Sequence, residues 1–177
     1  MRKNIIALAG PPCSGKSTVG KILAVSLQAD LIDLDDLVQC ESGHTIEWIF
    51  SHDGEGTFRA MEKRILEEVL AGAVKRTVVA LGGGALLDLE SRKLIEEKTV
   101  LITLYASPET LSGRNSRHTG RPLAGDPEML MNLIRLREKH YSSLGNTVNT
   151  EKDTAEDVAE TIRIKVLPLL SPEDRLS

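Results

Sequence analysis

GPPCSGKST, residues 10–18, brings glycine, lysine and hydroxyl side chains together within nine positions. A short apolar run, NIIALA, precedes it, and VGKILAVSLQ follows with the spacing of a helix. Gly10-x4-Gly15-Lys16-Ser17 therefore matches the Walker A phosphate-loop pattern in its proper context, strand before and helix after. Glycines let backbone N–H groups curl around phosphate oxygens, and the helix N-terminus adds its partial positive charge. Lys16 is expected to reach the β- and γ-phosphates of a nucleotide, and the Ser17 hydroxyl to ligate Mg²⁺. Pro12, Cys13, Ser14, Gly15 and Thr18 complete the expected nucleotide cradle. Loop dipoles can acidify the Cys13 thiol, but a small inert filler fits the position equally well.

A phosphate loop fixes the donor and leaves the acceptor open. Asp53-Gly54-Glu55-Gly56 has the letters of the DxxG element of switch GTPases, but SHDGEG follows a helical stretch rather than a strand. No NKxD guanine reader is present, since Asn149-Thr150-Glu151-Lys152-Asp153 has the wrong spacing. DGEG reads as a turn. The second apolar run ends in Leu31-Ile32-Asp33-Leu34-Asp35-Asp36, where strand alternation would put Asp33 and Asp35 on one face. A carboxylate beside the phosphate loop can hold Mg²⁺ or its waters. The next one out can bind an acceptor hydroxyl and take its proton. Asp36 better fits an acidic helix cap.

Leu81-Gly82-Gly83-Gly84 lets backbone approach a ligand closely. Arg59 opens a helical pattern after DGEGT and can pair with Glu62 at i+3, while Arg137 lies on a later helix. Arg114, Arg117 and Arg121 fall in a stretch, residues 113–125, that contains no acid. Such a cationic loop suits a lid that closes over triphosphate and offers guanidinium groups to the transferring charge.

These groups need a frame. Strand-like runs occur at Asn4–Ala9, Asp30–Leu34, Thr77–Leu81, Thr99–Tyr105 and Thr147–Thr150. Helical spacing links Phe58, Met61, Ile65 and Val69, and again Val158, Ile162 and Val166, with a start at Asp153-Thr154 and a stop at Pro168. Continuously apolar strands alternating with helices indicate an α/β fold, a parallel sheet covered on both faces, with function at the strands' carboxyl ends. Residues 35–60 carry helical signals interrupted by Gly43, Gly54 and Gly56, and 113–127 read as a mobile loop. The 177 residues are expected to form one domain.

Charge narrows the partners. Lys plus Arg number 22 and Asp plus Glu 26, a formal charge of −4, which argues against nucleic acid or an anionic membrane. No apolar run approaches the roughly 18 residues of a membrane span, and the N-terminal apolar segment is too short for a signal peptide. Cys13 and Cys40 make neither a disulfide framework nor metal-ligand spacing with the four histidines, so a reduced, cytoplasmic protein is expected.

Taken together, GPPCSGKSTVGKILA, DLDDLVQCESGHTIEWIF, DGEGTFRAMEKRIL, LGGGALL, GRPLAGD and RLREKHY resemble shikimate kinase, in family order from Asn4 to about Val166. The resemblance implies a phosphate-loop NTPase of the nucleoside-monophosphate-kinase type, with five parallel strands in order 2-3-1-4-5, an acceptor-binding segment about 33–61 and a lid about 113–125. It implies transfer of the γ-phosphoryl of ATP, with Mg²⁺, to the 3-hydroxyl of shikimate in aromatic amino-acid biosynthesis; a monomer is expected, although no sequence feature fixes the oligomeric state. By position, Asp35 would bind the shikimate hydroxyls and be the candidate base. Arg59 and Arg137 would grip the carboxylate, and Gly82, Gly83 and Gly84 would line the pocket. Asp33 and Ser17 would lie at Mg²⁺, Arg121 at phosphate and substrate, Arg114 at the nucleotide, and Glu62 would orient Arg59. Three positions depart from the family: Gln39 where Glu is frequent, Asn149 where Asp often precedes the late Thr, and Ala80 where some relatives carry a hydroxyl. A gluconate or nucleoside-monophosphate kinase is the neighbouring reading, and an inactive binding module the reading from another class.

Overall fold

The computed structural model of the protein describes residues 3–115 and 127–171. IIALA forms β1 (Ile5–Ala9), every residue of which is buried. The phosphate loop turns the chain into α1 (Lys16–Leu27), and β2 (Asp30–Asp33) follows. Three helices come next: α2 (Leu34–Ser42), α3 (Ile46–His52) and α4 (Gly54–Gly72). The chain then forms β3 (Thr77–Ala80), α5 (Leu89–Lys98) and β4 (Thr99–Tyr105). It closes with α6 (Pro108–Asn115), α7 (Pro127–Ser142), β5 (Thr147–Asn149) and α8 (Ala155–Val166).

The strands pair in parallel in the order β2-β3-β1-β4-β5, as expected. Alternation along β1 splits the core. Ile6 and Leu8 pack with Val19, Leu23 and Leu27 of α1 and with Val158, Ile162 and Val166 of α8. Ile5, Ala7 and Ala9 pack on the opposite face with residues of α2, α3, α4, α5 and α7. Burying both faces of the three inner strands, β1, β3 and β4, explains why their runs read as continuously apolar rather than alternating.

Local signals set the helix starts. Thr154 caps α8 by a reciprocal pair with Asp157, and α8 ends at Val166, before a 3-10 turn, Leu167–Leu169, that contains Pro168. Thr45 caps α3 by accepting the Trp48 N–H at 3.2 Å. By contrast α1 has Gly15 at its cap, with no side-chain cap hydrogen bond, so no capping side chain stands between a ligand and the helix N-terminus.

Four expectations need correction. The second strand stops at Asp33, and Asp35 lies in the first turn of α2, so strand alternation does not place the two carboxylates. Asp33, not Asp36, is the cap: its side chain accepts the Asp35 N–H at 3.1 Å. The turn in DGEG is confined to Asp53, because Gly54, at φ +83°, already opens α4. The stretch beginning at 113 also starts as helix, the end of α6.

Candidate active site

Phosphate-loop geometry follows from its residue types. Gly10 has φ +145°, and a Cβ there would clash with the backbone carbonyl of Leu104. Gly15 has φ +97°. Cys13 adopts φ +63°, a left-handed conformation costly for a side-chain-bearing residue, and its side chain packs against Ala106, Leu111, Leu130 and Ile134. Lys16 is only 6% exposed, and its ammonium donates to the carbonyls of Gly10 at 2.9 Å and Pro11 at 3.0 Å. It thus lies folded over the loop's own backbone. Pro12, Ser14, Ser17 and Thr18 stand where the pattern requires, on the loop and the first turn of α1.

Ser17 Oγ donates to Asp33 Oδ2 at 2.6 Å, which joins the start of α1 to the end of β2. Asp33 pairs in register with Ala80, so the carboxylate stands next to the position that lacks a hydroxyl. Among the described residues no cluster of three or more His, Cys, Asp or Glu side chains could hold a metal ion by itself. A hydroxyl and a carboxylate, both hard oxygen donors, nevertheless fit Mg²⁺, which typically takes one or two protein oxygens and fills its shell with phosphates and water.

The second half of the site gathers around the strand-three glycines. Arg59 Nη1 donates to Glu62 Oε2 at 2.6 Å, and Arg59 Nη2 to Glu55 Oε1 at 3.2 Å. The guanidinium lies over Gly84, where an added Cβ would come within 2.5 Å of Arg59 Nη2. At Gly82 a Cβ would collide with Glu62 Oε1 and stand 3.0 Å from Asp35 Oδ1. Gly83 accepts a hydrogen bond from Arg137 Nη1 at 3.0 Å and another from the Tyr141 hydroxyl. It also faces the phosphate loop, since a Cβ there would touch Pro12 at 3.4 Å. Asp35, Arg59 and Arg137 therefore converge on one three-residue turn that touches the nucleotide cradle.

Burial sets the electrostatics. Desolvation drives the Glu62 carboxyl above its usual range, against the pull of Arg59. Burial works against the Arg59 charge, but Glu62 and Glu55 more than offset it and raise its pKa. Desolvation pushes the Tyr141 hydroxyl up to about 12, so it remains a donor to Gly83. Glu62 Oε1 has no hydrogen-bond partner and points at the glycine turn.

Two of the family departures keep their chemistry. Gln39 Oε1 accepts the Ile46 N–H at 3.3 Å, and Asn149 Oδ1 accepts the Glu151 N–H at 2.7 Å. In each case the amide oxygen makes a contact that a carboxylate oxygen could also make. Arg114 reaches Thr150, with Nη1 to Oγ1 at 3.1 Å and Nη2 to the backbone carbonyl. Arg121 and Arg117 lie outside the described residues. Sequence reasoning missed Glu55, although its i+4 spacing to Arg59 was a signal, and missed Tyr141, whose hydroxyl contact no local pattern encodes.

A 2-3-1-4-5 parallel sheet, a phosphate loop after β1 and a pocket of paired arginines and carboxylates at the carboxyl ends of the neighbouring strands make this a phosphate-loop kinase of the nucleoside-monophosphate-kinase type. The family model described as shikimate kinase matches residues 12–166. A shikimate kinase of Francisella tularensis subsp. holarctica is 37% identical over 166 residues, 92% of this chain and 94% of that one. One from Caldicellulosiruptor saccharolyticus is 38% identical over 163 residues, 90% and 93% of the two chains. The solved shikimate kinase of Acinetobacter baumannii in complex with shikimate superposes with a TM-score of 0.84 at 32% identity, covering 98% of this chain and 95% of that one. The chain belongs to the shikimate kinase family.

Proposed function

We infer that this chain transfers the γ-phosphoryl group of ATP to the 3-hydroxyl of shikimate, giving shikimate 3-phosphate and ADP, a step of chorismate and aromatic amino-acid biosynthesis. The observation that carries the reading is the convergence of Asp35, Arg59 and Arg137 on Gly82–Gly84, against the phosphate loop. Shikimate is a ring acid bearing several hydroxyls, so its pocket needs cations at one end and a carboxylate at the other. A guanidinium fork matches a carboxylate in a bidentate manner.

In this reading Arg59 and Arg137 hold the acid group. Asp35 accepts a hydrogen bond from the ring hydroxyls and orients the one that attacks. Transfer through a loose transition state asks more of positioning and charge neutralisation than of a strong base. Lys16 exchanges its loop carbonyls for phosphate oxygens, and Arg121, expected on sequence, adds charge at the transferring group. Ser17 and Asp33 hold Mg²⁺, which when bound neutralises charge on the phosphate oxygens. The whole chain would act as one catalytic domain, a cytoplasmic monomer using small molecules rather than nucleic acid or membrane. Neither Cys13 nor Cys40 is in a disulfide, and no helix among the described residues is long and apolar enough to cross a membrane.

The metal assignment separates cleanly from folding. Asp33→Asn keeps an oxygen for the Asp35 N–H, and asparagine caps helices as well as aspartate. The melting temperature should barely move. The Mg²⁺ concentration for half-maximal rate should rise roughly ten- to hundredfold. An unchanged Mg²⁺ requirement would remove Asp33 from the metal site.

The activity itself is tested by following ADP release with ATP and Mg²⁺ plus, separately, shikimate, quinate, gluconate or AMP. Turnover should require shikimate. Turnover with gluconate or AMP alone would overturn the reading, and none with any acceptor would make the chain a binding module.

A further inference from the structure

A polar cluster outside the acceptor pocket ties α6 to the turn after β5. Glu151 Oε2 accepts the Ser107 N–H at 2.7 Å, and its Oε1 accepts Ser107 Oγ at 2.6 Å and Thr110 Oγ1 at 2.5 Å. One carboxylate thus gathers three donors from the start of α6, at the positive end of the helix dipole. One turn further along, Arg114 spends both terminal nitrogens on Thr150, the residue before Glu151. That turn is itself fixed, since Thr150 N–H donates to the Tyr105 carbonyl at 2.8 Å and Asn149 Oδ1 holds the Glu151 N–H at 2.7 Å. Residues 149–151 therefore grip α6 near both ends.

The location gives the grip a purpose. The phosphate loop meets α6 and α7 through Cys13, which packs with Ala106, Leu111, Leu130 and Ile134. Hydrogen bonds to Ser107 and Thr110 hold the Glu151 carboxyl down to about 2, so it stays ionised at any ordinary pH.

We propose that Glu151 is a positioning residue for nucleotide binding: by anchoring the first turn of α6, its carboxylate fixes where Arg114 presents its guanidinium. The proposal rests on Arg114 being a nucleotide contact. A neutral or missing carboxylate frees the start of α6, and Arg114 then samples orientations that no longer match a bound nucleotide.

Steady-state kinetics of the full-length chain separate the possibilities, with Glu151→Gln, Glu151→Asp, Arg114→Ala and the Arg114→Ala/Glu151→Gln pair compared by KM for each substrate and by melting temperature. Glu151→Gln should raise KM for ATP roughly tenfold, as expected for lost charge-assisted hydrogen bonds. KM for shikimate should change less than about twofold, since no acceptor contact is removed. Glu151→Asp should recover most of the loss. The double variant should match Arg114→Ala alone, because one residue acts through the other. If Arg114→Ala leaves KM for ATP unchanged, the nucleotide role of Arg114 fails. If Arg114→Ala raises it and Glu151→Gln does not, the positioning role is overturned while Arg114 keeps its own. Additive losses, or equal rises in both KM values with a lowered melting temperature, would likewise overturn it.

Discussion

Arg59→Ala should lower kcat/KM for shikimate by roughly ten- to hundredfold and leave ATP affinity within about twofold, as expected for one lost charge-assisted hydrogen bond. The asymmetry follows from placement. Arg59 touches Glu55, Glu62 and the glycine turn, whereas the triphosphate grip lies with Lys16, Ser17 and the loop amides. Lysine at 59 should restore little, because a point charge cannot reproduce the planar fork. Removing the guanidinium also leaves Glu62, 4% exposed, without its counter-ion, so part of the loss could come from a disturbed carboxylate. Adding Glu62→Gln to Arg59→Ala removes that buried charge, and the shikimate defect should persist in the double variant. Equal losses for ATP and shikimate would make Arg59 a structural residue.

Gly82→Ala should be at least as damaging to shikimate use. Gly82 is not in a left-handed conformation, so the added methyl costs no backbone strain. Its harm is local, because the methyl would collide with Glu62 Oε1 and crowd Asp35 Oδ1 at 3.0 Å. Glu62 is buried and bound to Arg59, so it cannot swing into solvent. It must push Arg59 or Asp35 aside. A displacement near 1 Å in a positioning group can cost about a hundredfold, and that is the expected fall in kcat/KM for shikimate. Gly56→Ala is the matched control. A Cβ there meets nothing within 4 Å, and Ala favours the helix over Gly by roughly 0.5–1 kcal/mol, so stability should rise with kinetics unchanged. A Gly82→Ala variant with normal shikimate kinetics would show that the glycine turn is not part of the pocket.

Much of this was legible in the chain because the signals were local. The phosphate loop depends on consecutive residues, β1 and β4 on unbroken apolar runs, and α8 on a capping pair three residues apart. The local signals define a parallel α/β sheet, while its strand order follows only from the family resemblance. The second strand was legible only in part. Its alternation was extended to Asp35, but Asp33 both ends the strand and caps α2, a competition between cap and strand that periodicity does not register. DGEG reads as a turn for a related reason: Gly54 at φ +83° serves as a helix opening, which glycine's turn signal does not distinguish. The pairing of Arg59 with Glu62 was visible from its spacing. The hydroxyl of Tyr141 on Gly83, 58 positions away, and the grip of Glu151 on Ser107, 44 positions away, depend on chain crossings that no window of sequence contains. Gln39 and Asn149 read as departures by charge, yet their oxygens meet backbone N–H groups.

The most direct measurement is a thermodynamic cycle between a side chain and the acid group of the acceptor. kcat/KM is measured for wild type and Arg59→Ala, each with shikimate and with its neutral methyl ester. If the guanidinium holds the carboxylate, Arg59→Ala should cost roughly ten- to hundredfold with shikimate and almost nothing with the ester, which has already lost the contact. The same fold-loss with both acceptors would mean that Arg59 and the carboxylate do not meet.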